Sequence, residues 1–182
     1  NFARGHDAKS IKSDSLLNDL EKRISAFNVE FKDNEDASLF VIVDNDTKDT
    51  EAFRVRLNEV SVRSCVSIDH VYCIAVEETE AWLLGDMAAI QSAYPQHYDR
   101  ILSKHAQYTQ DEIRKGGTWE FLAEMLTKNG FKHFKRINPT SADVGRVKSE
   151  WAERIGAHLD IRGNVSPSFQ YFIGELDKRA AV

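Results

Sequence analysis

The chain has 182 residues, of which 42% are hydrophobic and 29% are charged, and its formal net charge is −5. Length and composition are those of an ordinary globular protein with one sizeable core. No apolar stretch reaches the roughly 18 residues of a membrane-spanning helix, and the start lacks the apolar core of a signal peptide. We therefore expect no membrane partner. Cys65 and Cys73 are the only cysteines, and Cys73 lies within an apolar run, so we expect reduced thiols and a cytoplasmic protein.

Charge is unevenly distributed along the chain. Residues 1–100 hold 11 Lys/Arg against 19 Asp/Glu, whereas residues 101–182 hold 13 against 10. The second half contains a run of basic side chains opposed only by Asp143: Lys128, Lys132, Lys135, Arg136, Arg146 and Lys148. Such a run is either a solvated face, which is the commoner case, or a surface that contacts phosphate. Lys135 and Arg136 are the candidates for phosphate contacts.

The first half of the chain alternates between patterns typical of helices and of strands. In order, they predict a helix from Ser13 to about Phe27, a strand at residues 38–44, a helix from Thr50 to about Val62 and a strand at residues 71–76. Strands connected through a helix pair in parallel, because the chain returns in the same direction. Residues 1–86 are therefore predicted to form an α/β core, a small parallel sheet with flanking helices.

The second half contains only helical patterns. Helices are predicted at residues 87–93, at 118–126, from a cap at Ser141 onward, and at 167–178. Two of them carry apolar stripes, which are Val144, Val147, Trp151, Ile155 and His158 on one and Phe169, Phe172, Ile173 and Leu176 on the other. Residues 87–182 are therefore predicted to be an α-helical extension that packs on the core as one compact unit.

The first predicted strand ends at Asp44 and is followed directly by Asn45 and Asp46. Its uninterrupted apolar run is typical of a strand covered on both faces, and ligand sites form at the carboxyl ends of such strands. If the chain stays extended, Asp44 and Asp46 point to the same face and are close enough to share one divalent cation. The alternative is a polar turn, since Asn and Asp are favoured there.

A second acidic cluster follows the second predicted strand. Because parallel strands end at the same edge of a sheet, four carboxylates are expected to converge: those of Asp44, Asp46, Glu78 and Glu80. An all-oxygen set favours Mg²⁺ or Mn²⁺, which activate water and stabilise the leaving oxygen in phosphodiester cleavage. Two alternatives stay open. The glutamates favour the N-terminus of the next helix through its dipole, and within a helix Glu77 would pair better with Glu80 than Glu78 would.

Three groups of residues resemble a known family. They are Asp44-x-Asp46 after an apolar strand, Ile74-Ala-x-x-Glu78-x-Glu80-Ala-Trp82-x-x-Gly85-Asp86, and Asn164-x-Ser166-Pro-Ser168-Phe169. In this order they look like a toprim-related bacterial family, long classed only as a domain of unknown function and often encoded beside AAA or SMC-type ATPases in defence islands. The resemblance implies a toprim-like, Rossmann-like fold, with Asp44 and Asp46 as Mg²⁺ ligands and Glu78 and Glu80 as further acidic site residues.

The resemblance also concerns the start of the chain. Toprim domains carry an acid/base glutamate after their first strand, but no strand ending in Glu precedes residue 13, so we expect the first strand to be missing from this chain. In the resembling family a basic segment before the first helix touches phosphate, which makes Lys12 a candidate contact. A mobile terminus is the alternative there.

The resulting hypothesis is a Mg²⁺- or Mn²⁺-dependent nuclease with Glu78 and Glu80 as catalytic and metal-binding residues. We expect it to cleave DNA or RNA as the effector of an antiphage defence system. Its expected partners are a nucleic acid and an AAA or SMC-type ATPase, which would load the substrate because an acidic protein binds nucleic acid weakly by itself. The alternatives are a non-catalytic module that docks on the ATPase and a metal-dependent nucleotide phosphohydrolase.

Overall fold

The computed structural model describes residues 14–45, 49–105, 117–127, 130–136 and 140–180. In these ranges the helices are α1 (Asp14–Phe31), α2 (Thr50–Arg63), α3 (Glu80–Leu84), α4 (Met87–Ala93), α5 (Tyr98–His105), α6 (Thr118–Leu126), α7 (Gly130–Arg136), α8 (Ser141–Gly156) and α9 (Pro167–Ala180). The strands are β1 (Ser38–Asp44) and β2 (Asp69–Ala75), and they form a two-stranded parallel sheet. The protein is thus a mixed α/β protein that is mostly helical, and its toprim-likeness stays a prediction.

By its contacts the chain divides into two compact units. The first comprises Asn1–Val41 and Asp49–Tyr72, and the second comprises Ile42–Lys48 and Cys73–Val182. The predicted organisation, with a boundary after Asp86 and one compact unit overall, stays a prediction.

The first unit is built on the packing of α1 against α2. Phe53, Leu57 and Val60 form the buried stripe of α2, as their spacing predicts. The Asn28 side chain at the end of α1 fixes the loop before β2, because its Oδ1 accepts hydrogen bonds from the backbone N–H groups of Ser67 (2.8 Å) and Ile68 (3.1 Å).

The main core of the second unit lies among its helices. Its fully buried side chains come from α3, α4, α5, α6 and α8, and they include Leu84, Ile90, Ile101, Leu122, Met125 and Ile155. Trp151 and Ile155 carry the predicted stripe of α8 into this core. The stripe ends there because α8 stops at Gly156. His158, which was predicted to continue the stripe, lies beyond the helix end and is exposed.

A smaller core joins α3 to α9. Trp82 packs with Phe169 and stacks on Phe172 at 5.3 Å between ring centres, and its Nε1–H donates a hydrogen bond of 2.8 Å to Ser168 Oγ. The Asn164 side chain donates to the carbonyl of Trp82 (2.7 Å) and accepts from the backbone N–H of Ser166 (2.9 Å). These contacts give the Ser166-Pro-Ser168-Phe169 sequence a structural role, the docking of α9 on α3.

Several details differ from the sequence-based expectations. Thr140 rather than Ser141 caps α8, through a reciprocal capping box with Asp143. Leu176 on α9 is exposed rather than buried. In β1, Val41 is buried but Ile42 is 45% exposed, so at this point the strand is covered on one face and not on both.

Within the described residues, no helix is long and apolar enough to span a membrane.

Candidate functional site

The carboxyl ends of β1 and β2 lie together in the second unit, joined by Asn45. The backbone N–H of Asn45 donates to the carbonyl of Ala75 (3.3 Å), and its side-chain Oδ1 accepts a hydrogen bond of 2.5 Å from the backbone N–H of Glu77. Asn45 is completely buried. An asparagine directly after an apolar strand thus ties the acidic segment after β2 to the end of β1.

The chain leaves β2 through an unusual turn at Glu77. This residue is buried and has a φ angle of +66°, the left-handed conformation that L-residues with a side chain rarely adopt. The turn is followed by the first turn of α3, where the backbone N–H of Ala81 donates to the carbonyl of Glu78 (3.0 Å). Glu78 therefore lies outside regular structure, and Glu80 is the first residue of α3.

Glu78 and Glu80 share one cationic group. The ammonium of Lys148, on α8, lies 3.3 Å from Glu78 Oε2 and 3.1 Å from Glu80 Oε2. The exposed fractions of the side chains are 26% for Lys148, 21% for Glu78 and 7% for Glu80. The sequence left two alternatives for this pair, an extended segment with both carboxylates on one side or a helix in which they diverge. Neither describes the structure, in which the turn at Glu77 brings both carboxylates to Lys148.

The carboxylates of Glu78 and Glu80 act on the charge of Lys148. Burial acts to lower the pKa of Lys148, but the carboxylates of Glu80 and Glu78 act against it and the result is a raised pKa. Lys148 is thus held as an ammonium ion between the two glutamates. The three groups together carry a net charge of −1.

Glu120 adds a further carboxyl at the start of α6. Burial raises the pKa of Glu120, and the charge of Glu78 raises it further, whereas the charges of Lys148 and Lys135 lower it. Its carboxyl folds back over Gly117, where an added Cβ would lie only 1.9 Å from Glu120 Oε2. Glu120 thus belongs to the electrostatic surroundings of Glu78 and Lys148.

The structure describes some of the predicted site residues and leaves others outside the described ranges. Asp44 is the partly exposed last residue of β1, beside the buried Asn45. Asp46 and Lys12 lie outside the described residues. Lys135 and Arg136 are exposed on α7, with the Lys135 ammonium 5.5 Å from the ring centre of Phe131.

Sequence reasoning missed Asn45, Glu120 and Lys148 as members of this site. In the sequence Lys148 belongs only to a basic run, for which a solvated face is the commoner interpretation. An asparagine between two aspartates was the available signal for Asn45. No local pattern marks Glu120, because its position depends on how α6 packs against α3.

The donor atoms of the site are of the kind that binds Mg²⁺ or Mn²⁺. Carboxylate oxygens are the usual ligands of these hard cations, and two of them already share a cationic group. Among the described residues, no three acidic, histidine or cysteine side chains form a ready metal-binding group. A complete ligand set therefore requires movement of the described carboxylates or a contribution from Asp46, which is outside the described ranges.

The fold and the acidic site define a mixed α/β protein with clustered carboxylates at the end of a small sheet. Over residues 6–177 the chain matches the family described as a domain of unknown function, DUF4276, and it belongs to that family. No curated protein and no solved structure matches the chain.

Proposed function

We propose that the protein is a toprim-like, Mg²⁺-dependent nuclease that cleaves phosphodiester bonds in DNA or RNA. The observation that carries the proposal is the convergence of Glu78 and Glu80 on one cationic group, beside the joined ends of two parallel strands. Open α/β sheets bind ligands at this edge, and clustered carboxylates are how proteins hold Mg²⁺ against phosphate.

The proposed ligands are Asp44, Asp46, Glu78 and Glu80. A cation bound there supplies charge neutralisation for the scissile phosphate and activates the attacking water. Of the two glutamates, Glu78 is the more exposed, so we assign to it the acceptance of the proton from that water. Glu80 is nearly buried at the start of α3, where a fixed position suits a ligand better than a proton acceptor.

Substrate binding is assigned to basic side chains. Lys135 and Arg136 are exposed on α7, and Lys135 is near enough to influence Glu120, which in turn interacts with Glu78. This chain of interactions relates the predicted phosphate contacts to the acidic site. Contacts of this kind hold the nucleic-acid backbone without reading its sequence. Because the net charge of this chain is −5, it binds nucleic acid weakly by itself, and a partner ATPase that delivers the nucleic acid remains part of the proposal.

The test is cleavage of plasmid DNA, single-stranded DNA and RNA in Mg²⁺ or Mn²⁺, with and without any AAA or SMC-type ATPase encoded beside the gene. Asp44→Asn and Glu78→Gln remove one charge each at nearly constant shape. Glu153→Gln, an exposed position on α8, is the matched control. We expect cleavage by the wild type and by the control but not by the two site variants. Equal cleavage by all four proteins would contradict the proposal.

A second candidate function is a non-catalytic module that docks on the ATPase. It is favoured by exposed apolar side chains in the first unit, where Val55 and Val62 on α2 are 57% and 77% exposed and lie two helical turns apart on one side. If this function is correct, no substrate is cleaved and Val62→Asp weakens ATPase binding.

A further inference from the structure

We propose that Lys148 is a built-in counter-ion of the acidic site, which a divalent cation must displace and which then becomes available to the phosphate of the substrate. The inference rests on the proposed function, since it takes Glu78 and Glu80 as the ligands of that cation. It adds a positioning residue that no pattern in the sequence had assigned to the site.

Distances show that the ammonium and a metal ion compete for the same space. Lys148 Nζ lies 3.3 Å and 3.1 Å from the two carboxylate oxygens, whereas Mg²⁺ binds its oxygen ligands at about 2.1 Å. A metal ion between Glu78 and Glu80 therefore requires both carboxylates to move inward by about 1 Å, to the place where Lys148 now contacts them. Electrostatic repulsion between two cations at this separation prevents them from sharing it.

The side chain of Lys148 is able to leave. It is 26% exposed, and its four-carbon stem is flexible. Glu80, by contrast, is 7% exposed and is the first residue of α3, so it has little room to move. Exchange of the cation therefore expels the lysine, whereas the glutamates shift only by about 1 Å, as the shorter metal–oxygen distance requires.

Charge balance connects the displacement to substrate binding. The four proposed ligands, Asp44, Asp46, Glu78 and Glu80, and Lys148 together carry a net charge of −3, which repels a phosphate. Adding a divalent cation while Lys148 stays close by changes this net charge to −1, which weakens the repulsion. The displaced ammonium thus becomes a phosphate contact only after the metal has bound, so that Lys148 orders the two binding events.

The experiment is calorimetric titration of Mn²⁺ into the wild type, Lys148→Met and Lys148→Gln, without nucleic acid. Lys148→Arg keeps the charge, and Lys132→Met removes one exposed charge from α7. We expect the dissociation constant for Mn²⁺ to fall by about tenfold in Lys148→Met and Lys148→Gln, equivalent to about 1.4 kcal/mol. Lys148→Arg and Lys132→Met are expected to stay within about twofold of the wild type. Two uncharged variants are used so that poor folding of one leaves the other.

The outcomes separate this inference from the proposed function. If the wild type binds Mn²⁺ and the uncharged variants bind it equally or more weakly, the counter-ion role of Lys148 is wrong and the metal site stands. If neither the wild type nor the uncharged variants bind Mn²⁺, the metal-dependent function is wrong, and the inference that rests on it is wrong too.

Discussion

Asn45 and Glu77 join the ends of the two strands, because the Asn45 side-chain oxygen accepts a hydrogen bond of 2.5 Å from the Glu77 backbone N–H. Both residues are buried. Glu77 is also the left-handed residue after which the chain presents Glu78 and Glu80 to Lys148. The acidic site therefore depends on a contact between two residues that carry no predicted catalytic role.

The first prediction concerns Asn45. In Asn45→Ala the buried N–H of Glu77 loses its acceptor, and an unsatisfied buried donor costs about 1–3 kcal/mol. We expect the free energy of unfolding, measured by urea denaturation, to fall by this amount. Asn58→Ala, at an exposed position on α2, is the control, with an expected change within about 0.5 kcal/mol. Equal stability of the two variants would show that the bond contributes nothing.

The second prediction concerns the backbone of Glu77. Glu77→Gly and Glu77→Ala both remove the carboxylate, but only glycine adopts a φ angle of +66° without steric cost. We therefore expect Glu77→Gly to be more stable than Glu77→Ala by about 1 kcal/mol in thermal or urea unfolding. An alanine variant at least as stable as the glycine variant would contradict a left-handed conformation at this position.

The third prediction concerns Gly85, between α3 and α4. A Cβ there would lie 2.1 Å from Asn164 Oδ1 and 2.9 Å from Ser166 Cβ, and Asn164 is held by its own hydrogen bonds. Gly85→Ala is therefore expected to destabilise the protein by about 1–3 kcal/mol, as overpacked sites do.

Gly145, within α8, provides the matched control for that substitution, because an added Cβ meets nothing within 4 Å. Gly145→Ala is expected to stabilise the protein by about 0.5–1 kcal/mol, since glycine is unfavourable inside a helix. If Gly85→Ala is at least as stable as the wild type, the close approach of Gly85 to Asn164 is wrong.

The fourth prediction concerns pH and Glu120. Burial raises the pKa of its carboxyl in the folded protein, so the folded state binds this proton more tightly than the unfolded state does. The contribution of Glu120 to the stability of the folded protein is complete below the ordinary pKa of glutamate. It is lost as the pH rises through the raised pKa of Glu120 in the folded protein.

Glu120→Gln removes this dependence and is expected to stabilise the protein at about pH 7, with the difference vanishing at about pH 4. Urea unfolding at several pH values measures it. Glu153→Gln, at an exposed position, is the control and is expected to show no such trend. A Glu120→Gln variant that is less stable than the wild type at neutral pH would contradict the raised pKa.

The sequence predicts those parts of the fold that have a local cause. The apolar stripe of α2, the strands and the helices α4, α6 and α9 follow from periodicity and end signals, and the structure contains them. Helices α5 and α7, which are eight and seven residues long, were not predicted. Short helices of this kind are stabilised by tertiary packing, which no local pattern shows.

The candidate site also has parts that the sequence predicts and parts that it does not. The acidic clusters at the strand ends are visible in the sequence, since they follow apolar runs. The ion pairs of Lys148 are not, because they arise from packing of α8 against α3. The conformation of Glu77 was also unpredictable, since a left-handed turn is normally signalled by glycine or asparagine and here the residue is glutamate.

The most direct test of the central claim is Mn²⁺ binding measured by electron paramagnetic resonance on the wild type, Asp44→Asn, Glu80→Gln and the control Glu153→Gln. The claim that the carboxylates at the strand ends hold a divalent cation predicts that the wild type and Glu153→Gln bind Mn²⁺. It also predicts that Asp44→Asn and Glu80→Gln bind at least about tenfold more weakly, since each loses one charged ligand. Binding of equal strength in all four proteins would place the metal elsewhere and contradict the claim.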